Sequence, residues 1–469
     1  MINRSAAFAA SRFGLGLRPQ DAASFAGDPA GALLEEAVRQ SKRPLDGDGL
    51  RPTPEILLTF KTYQVRQKQL ETAMQTRATA DGASMAMDEA GKNSAMMAEA
   101  KPQIVAYEAE LAAKVARQLA APIGVCERLV DFWSNHFAVE VTKSFITRAD
   151  VGAYEREAIR PHVLGRFEDM LLAVARHPAM LAYLDNWQSV GVNSLAAKRQ
   201  QGRGLNENFG RELMELHTLG VDGGYRQADV RALANALSGW SFGMNLDRRN
   251  EVGRFVFRPG MHEPGPITIL GKTYRQKGER QGAAIIADLA RHPATARHLS
   301  RKLVQSFVAD DPPEALVARL ADVFTKSDGN LLEVTRALLT APASWEAPRN
   351  KLRSPQEFVV ASARALDVRL QPKEARRGLT TLGHMYWQPV SPAGYPGDSR
   401  NWLAADAMTN RLDLAEYIAA RARPVDPQAL AKTVLGDLLS APTLEAIRRA
   451  ESPRQAYALM LMSPEFQRR

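Results

Sequence analysis

Residues 206–225 read NENFGRELMELHTLGVDGGY, and their spacing predicts an amphipathic α-helix that ends in a turn. Asn206 is a suitable N-cap residue, and Gly220 follows the last apolar position, where a left-handed C-cap is expected. The side chains of the apolar face recur three and four positions apart, as a helix requires: Phe209, Leu213, Leu216 and His217. The stretch therefore predicts a helix over 206–219 with one face in a core.

A ladder of charges runs along the other side of this helix. Glu207, Arg211 and Glu215 lie four residues apart, so their side chains are neighbours on the helix surface. On an exposed face such a pair contributes only about 0.3–0.5 kcal/mol, whereas in an interior the charges must be fully hydrogen-bonded to survive desolvation. The next predicted helix, QADVRALANALSGW at 227–240, folds back after a short turn and limits the exposure of the ladder. The sequence leaves open whether the ladder is a buried structural network or part of a functional site.

The rest of the chain has the same amphipathic pattern, broken by Gly and Pro. It predicts further helices at 28–40, 54–75, 96–120, 122–139, 149–159, 161–176, 227–239, 281–291, 293–309, 313–326, 330–340, 353–367, 373–383, 401–421, 427–439 and 452–462. Residues 254–274, RFVFRPGMHEPGPITILGKTY, combine β-branched and aromatic runs with a Pro/Gly-rich turn and predict a short β-hairpin. Residues 76–97 are small and polar and predict a mobile link.

The fold class that follows is mostly α, a large multi-helix domain with a small β-hairpin insertion. A length of 469 residues suits one large domain over 1–469, or two packed sub-domains at 1–250 and 275–469 joined by the hairpin region 251–274.

Composition excludes several classes of protein. The net charge of +9 is spread along the chain, which argues against a nucleic-acid partner. No apolar run approaches the roughly 20 residues of a membrane span, and no signal peptide is evident in the opening MINRSAAFAASRFGLGLRP. Cys126 is the only cysteine, so an internal disulfide is excluded. The cellular compartment is left open: cytoplasmic by sequence, with the envelope or periplasm possible through an exported partner.

A second helix turns a histidine inward. In CERLVDFWSNHFAVE, residues 126–140, the spacing of Leu129, Phe132, Trp133, His136 and Phe137 is that of an apolar helix face. A lone inward histidine is more often a satisfied core residue than a ligand. Two helices that each carry one nevertheless predict a shared polar interior.

The histidines are candidate metal ligands. No H-E-x-x-H motif occurs, so a site for a divalent metal would have to be assembled from His136, His217 and His262, the last in the hairpin turn, with a glutamate from a distant segment. The cofactor therefore stays unknown, with a divalent metal as one possibility.

Several motifs together resemble the bacterial "domain of unknown function 1800" family: FWSNHF, HPAMLAYLDN, NENFGRELMELHTLGVDGGYRQADV, ALSGW, FVFRPGMHEPGPITILG, HPATARHLSRKLVQSFVADDPP and PAGYPGD…NWL. The resemblance implies a mostly helical domain without an established activity. It also implies a protein partner, the sulfatase- or phosphatase-like "domain of unknown function 1501" family, whose members commonly carry a twin-arginine export signal. Glu207, Arg211, Glu212, Glu215, His217, His136 and His262 occupy the matching motif positions.

Two hypotheses follow. The first is an interior polar pocket between helices 122–139 and 206–219, used for ligand binding or for acid/base or metal-assisted catalysis. In it, Glu207 or Glu215 is the acid/base group, Arg211 holds an anion, and His136 and His217 carry protons or bind metal. The second is a non-enzymatic scaffold or accessory protein for an exported partner.

Overall fold

The computed structural model describes residues 5–25, 27–80, 101–199 and 204–469, and helices account for 65% of the structure. The helices of the first half are α1 Ala6–Arg12, α2 Pro29–Ser41, α3 Thr53–Ala80, α4 Pro102–Ala120, α5 Val125–His136, α6 Phe145–Tyr154, α7 Phe167–Arg176, α8 Pro178–Tyr183, α9 Leu195–Arg199, α10 Asn208–Glu212 and α11 Gln227–Leu237. Those of the second half are α12 Glu279–Arg291, α13 Pro293–Phe307, α14 Glu314–Lys326, α15 Leu331–Thr340, α16 Pro342–Glu346, α17 Pro355–Ala365, α18 Pro372–Thr381, α19 Ala405–Ala419, α20 Pro427–Leu435, α21 Ala441–Arg448, α22 Pro453–Met462 and α23 Pro464–Gln467. The predicted mostly α fold is confirmed.

Proline at the first helical turn sets the start of many of these helices, because its fixed φ suits that position and its missing N–H is not needed there. Before α8 and α13 the N-cap residue is a histidine. His177 Nδ1 accepts from the N–H of Ala179, and His292 Nδ1 accepts from that of Ala294. Both histidines thus have a capping role at a helix boundary.

Two small antiparallel sheets interrupt the helices. Strand β3, Ile267–Ile269, pairs with β4, Lys272–Tyr274, so a small hairpin does lie within the predicted segment 254–274, but at its end and not across the Pro/Gly-rich turn. The other extended run of the segment, β2 at Phe255–Phe257, pairs instead with β1 at Trp240–Phe242. In this second sheet the fully buried Trp240 lies opposite Phe257.

The buried apolar residues form two clusters. The larger runs in sequence from Phe8 to Trp345, and the smaller joins α4 to the helices after residue 355. The larger cluster is continuous across 251–274, and the predicted division into sub-domains stays a prediction. Of the predicted link 76–97, residues 76–80 end α3 and residues 81–97 lie outside the described residues. Across the described ranges, every helix is too short or too polar to cross a lipid bilayer.

Candidate functional site

A cavity of about 480 Å³ lies between α5, α13 and residues 351–357 on one side and residues 384–402 on the other. We call residues 384–402 the cavity loop. Five basic side chains and three carboxylates line the cavity: Lys114, Arg128, Lys302, Lys351, Arg469, Asp131, Glu155 and Glu357. Its volume is that of a small-molecule site, and its wall is unusually rich in charge.

Hydrogen bonds and one close approach hold the cavity loop in place. The side chain of Asn135, at the end of α5, accepts from the N–H of Tyr395 (2.7 Å) and donates to the carbonyl oxygen of Tyr395 (3.0 Å). Gly394 has φ +81°, and a Cβ there would lie 2.3 Å from the carbonyl oxygen of Asn135, so only glycine fits. Lys351 bonds Asp310 and the carbonyl oxygen of Gly397, and Asp310 also accepts from Ser399. These contacts fix the second half of the cavity loop, from residue 394 to residue 399.

A buried ion cluster forms one end of the cavity. Lys114 Nζ lies 2.8 Å from Asp131 Oδ1 and 2.6 Å from Glu155 Oε2. Ser134 (2.6 Å) and the indole N–H of Trp387 (2.8 Å) also donate to Glu155. Burial raises the pKa of Asp131, whereas Lys114 holds the pKa of Glu155 below its usual value against burial. The pKa values of the two carboxylates beside Lys114 are thus shifted in opposite directions, which is the pattern expected of an acid and a base in one site.

A second ion cluster is centred on Glu357. Arg128 (2.9 Å) and Arg469 (3.0 Å) pair with its carboxylate, which also accepts from the N–H of Ser354 (2.8 Å). These arginines hold the pKa of Glu357 well below its usual range against burial. Glu357 is therefore an anion whose charge is neutralised within the protein.

Lys302 differs from the other basic residues of the wall. It lies on α13 and lines the cavity, and among the described residues none forms an ion pair or hydrogen bond with its ammonium group. Burial alone lowers the pKa of Lys302 to about 8. In addition to burial, the positive charge of Lys302 lowers the pKa values of three described histidines, His136, His217 and His298. The cavity thus holds a partly desolvated positive charge with no anion beside it.

The three histidines pack together beside this lysine. The ring centroids of His136 and His217 are 6.1 Å apart, and those of His136 and His298 are 6.2 Å apart. Of the three, only His136 lines the cavity in the part of the chain that the structure describes. His136 Nε2 lies 3.2 Å from the carbonyl oxygen of His217, and because a carbonyl only accepts, Nε2 carries the hydrogen. Burial lowers the pKa of His136 well below its usual value, so its imidazole is neutral near pH 7.

The local backbone explains how these contacts arise. After α10 the predicted helix over 206–219 continues as one turn of π-helix, Leu213–His217, which releases carbonyl groups from the regular ladder. The carbonyl of Leu216 accepts from His298 Nε2 (3.2 Å), as that of His217 does from His136. Gly220 has φ +83°, as predicted for a left-handed cap, and a Cβ there would lie 2.8 Å from His298 Nδ1. The π turn thus provides the carbonyl acceptors for the two imidazoles, and the lack of a side chain at Gly220 leaves room for His298.

The histidine cluster predicts a stability that depends on pH. Burial lowers the pKa of His217 to about 3, while the unfolded chain titrates near about 6.5. The unfolded state binds the extra proton below pH about 6.5, so this contribution to stability is present above that pH and is lost as the pH falls towards 3. We expect the stability difference between wild type and His217→Gln to shrink by about 2 kcal/mol from pH 7 to pH 5, measured by urea unfolding. Parallel pH profiles of the two proteins would contradict this.

The charge ladder of the predicted site lies outside the cavity. Arg211 is 39% exposed and Glu207 28% exposed, and the two pair at 3.5 Å. Glu207 also pairs with Arg231 (3.1 Å), and Glu215 accepts from Tyr225 (3.4 Å). Within the described residues, the 206–219 helix does not line this cavity; its His217 contacts His136 and Phe137. The roles expected of Glu207, Arg211 and Glu215 stay predictions.

The predicted metal ligands are only partly brought together. His136 and His217 are neighbours. His262, by contrast, is half-buried and hydrogen-bonds to the carbonyl oxygen of Ser238 (3.0 Å); within the described residues it forms no hydrogen bond with the cavity wall. In the described ranges no group of three or more His, Cys, Asp or Glu side chains is placed to hold a metal ion. A metal role for these histidines stays a prediction.

The most informative residues of the cavity were missed in the sequence. Lys114 and Lys302 each occupy an apolar-face position of an amphipathic helix, three residues after Leu111 and Leu299 respectively, and both leucines are buried. A lysine within an apolar stripe is a usable signal, because burial of an ammonium group requires partners or a cavity. The cavity loop has no periodicity and offered no comparable signal.

Comparison with known proteins gave one match. The family model described as "Protein of unknown function (DUF1800)" matches residues 8–468. No curated protein and no solved structure shows significant similarity.

Proposed function

The chain belongs to the DUF1800 family, described only as being of unknown function, and from its cavity we propose that it binds a small anionic organic molecule. The observation that carries the proposal is Lys302, which lines the cavity without an anionic partner among the described residues. An ammonium group that is partly removed from water and has no counter-ion is unfavourable, and a bound anion compensates its charge.

The charges of the other basic side chains support this assignment. Lys114 contacts two carboxylates, Lys351 bonds Asp310, and Arg128 and Arg469 share Glu357. These four cations are balanced as a set by four carboxylates, those of Asp131, Glu155, Asp310 and Glu357, and Lys302 supplies the net attraction for an anion. An anion in a concave, partly desolvated site is held more strongly than at a flat surface, because the local dielectric constant is lower.

If the protein is an enzyme, we propose Asp131 as its acid/base group in place of Glu207 or Glu215. Asp131 lines the cavity and its pKa is raised, so it is closer to exchanging a proton near neutral pH than an ordinary aspartate. His136, the predicted residue that does reach the cavity wall, would act as a neutral hydrogen-bonding group.

Isothermal titration calorimetry with glutarate and inorganic phosphate tests ligand binding. We expect saturable binding of at least one of these anions to the wild type, and loss of at least about tenfold in affinity in Lys302→Met, which corresponds to about 1.4 kcal/mol. Lys326→Met is the matched control, because Lys326 is 75% exposed and pairs with Asp322 across one helical turn. Equal affinities of wild type and Lys302→Met, or no binding of either anion, would overturn the proposal.

The accessory role stays a prediction, as does its partner of the "domain of unknown function 1501" family. Co-expression with that partner, followed by purification of one protein through a tag on the other, measures it directly. A stable complex would support the accessory role whether or not the cavity binds an anion.

A further inference from the structure

We propose that the Nζ atom of Lys302 forms an imine with the carbonyl carbon of an oxo acid bound in the cavity. The inference rests on the proposed function and narrows the ligand class to carboxylic acids that also carry an aldehyde or ketone group. What points to covalent chemistry is the placement of a primary amine on the wall of a cavity of about 480 Å³ that opens to solvent, with imidazoles instead of carboxylates as its ionisable neighbours.

The contrast with Lys114 shows why the surroundings of Lys302 matter. Lys114 lies against two carboxylates, which raise its pKa and keep it a protonated, structural cation. Lys302 has no such anion and its pKa is lowered to about 8. At pH 7.5 roughly a quarter of such an amine is unprotonated, against about 0.1% of an ordinary lysine. Only the unprotonated amine is a nucleophile, and desolvation is a recognised way to obtain one.

The neighbouring histidines keep the site free of competing charge. Burial and the field of Lys302 lower the pKa values of His136, His217 and His298, so all three are neutral near pH 7. His136 and His298 each donate a ring N–H to a backbone carbonyl oxygen of the π turn. Neutral, engaged imidazoles neither pair with the ammonium group nor add positive charge, so the amine stays available to the ligand.

The proposed step is balanced as an ordinary condensation. The lone pair of Nζ forms a bond to the carbonyl carbon, and the carbonyl π electrons move to the oxygen. That oxygen leaves as water with the two hydrogens of the amine, which gives the imine. Addition of a proton from solvent to the imine nitrogen restores the positive charge beside the carboxylate of the ligand, so the attraction for the anion persists after the bond has formed. No oxidant or reductant takes part.

Reductive trapping tests the imine. The full chain is incubated with 2-oxoglutarate and sodium cyanoborohydride, and intact mass and peptide mapping locate the product. We expect one adduct, equal in mass to 2-oxoglutarate less one oxygen atom, on Lys302. It should form at least about tenfold faster than on exposed lysines, with a rate that rises through pH about 8 and falls when glutarate is added. Adducts spread evenly over surface lysines would overturn the inference.

Two variants separate the imine from simple anion binding. Lys302→Arg keeps the positive charge but has no amine able to condense, so it should bind glutarate and yield no adduct at residue 302. Lys302→Met should lose both, and Lys326→Met should retain both; a thermal unfolding curve for each verifies folding. Glutarate binding to wild type without trapping of 2-oxoglutarate would refute the imine and leave the proposed function standing. Failure of trapping, together with no binding of glutarate or phosphate, would refute both.

Discussion

Replacement of Lys114 by methionine is expected to lower the free energy of unfolding by about 3–5 kcal/mol at pH 7. The ammonium group is 3% exposed and lies within 2.8 Å of Asp131 and 2.6 Å of Glu155. Its removal leaves the buried carboxylate of Glu155 and the partly buried one of Asp131 without the charge of Lys114, and that residual charge, more than the lost ion pairs, is the source of the cost. The rings of Tyr386 (5.7 Å) and Trp387 (5.5 Å) also lose a cation over their faces.

Urea unfolding at pH 7 and pH 5 measures this effect. The loss of unfolding free energy should be smaller at pH 5, because the carboxylates that have lost Lys114, those of Asp131 and Glu155, can then take up protons in the folded state. Lys326→Met again serves as the control, since surface pairs of this type contribute at most about 1 kcal/mol. A loss below 1 kcal/mol in Lys114→Met would show that the cluster is solvated and not the buried wall described here.

Arg364→Met is expected to lower the free energy of unfolding by at least about 3 kcal/mol. Its guanidinium group, on α17, is buried and donates to the carbonyl oxygens of Gly16, Gln118, Ala121 and Pro122 at 2.6–3.2 Å. These carbonyls belong to the chain after α1 and to the end of α4, where the last carbonyls of a helix lack partners and carry partial negative charge. One side chain thus satisfies several buried acceptors, each of which costs about 1–3 kcal/mol when left unpaired.

Chemical denaturation of Arg364→Met and of the exposed control Arg377→Met gives the comparison. Methionine keeps much of the apolar volume of arginine, so the difference between the two variants reports the lost hydrogen bonds. If both variants lose the same small amount, water must replace the guanidinium group at these carbonyls, and the proposed role of Arg364 in joining α1, α4 and α17 would be wrong.

The sequence predicted the helices well because each carries its own signal. The 3.6-residue apolar period, the prolines at first turns and the glycine caps are local, and they placed α2, α11, α13 and α15 to within a few residues. The same periodicity placed His136 and His217 inward, and the two lie side by side in the structure. It placed the charge ladder on the opposite side of the 206–219 helix, but it could not decide whether that side was buried by another part of the chain.

The cavity itself was decided by tertiary structure alone. Its wall joins Asn135 to Tyr395, 260 residues apart, and Arg128 to Glu357 across a similar distance along the chain. Such pairs have no period or spacing, because long-range contacts are set by how the helices pack and not by their own patterns. Local sequence determines which faces are apolar and where each helix begins and ends. Lys114 and Lys302 both lie within an apolar stripe of a helix, but Lys114 contacts two carboxylates and Lys302 lines an open cavity. This difference depends on which part of the chain packs against each lysine.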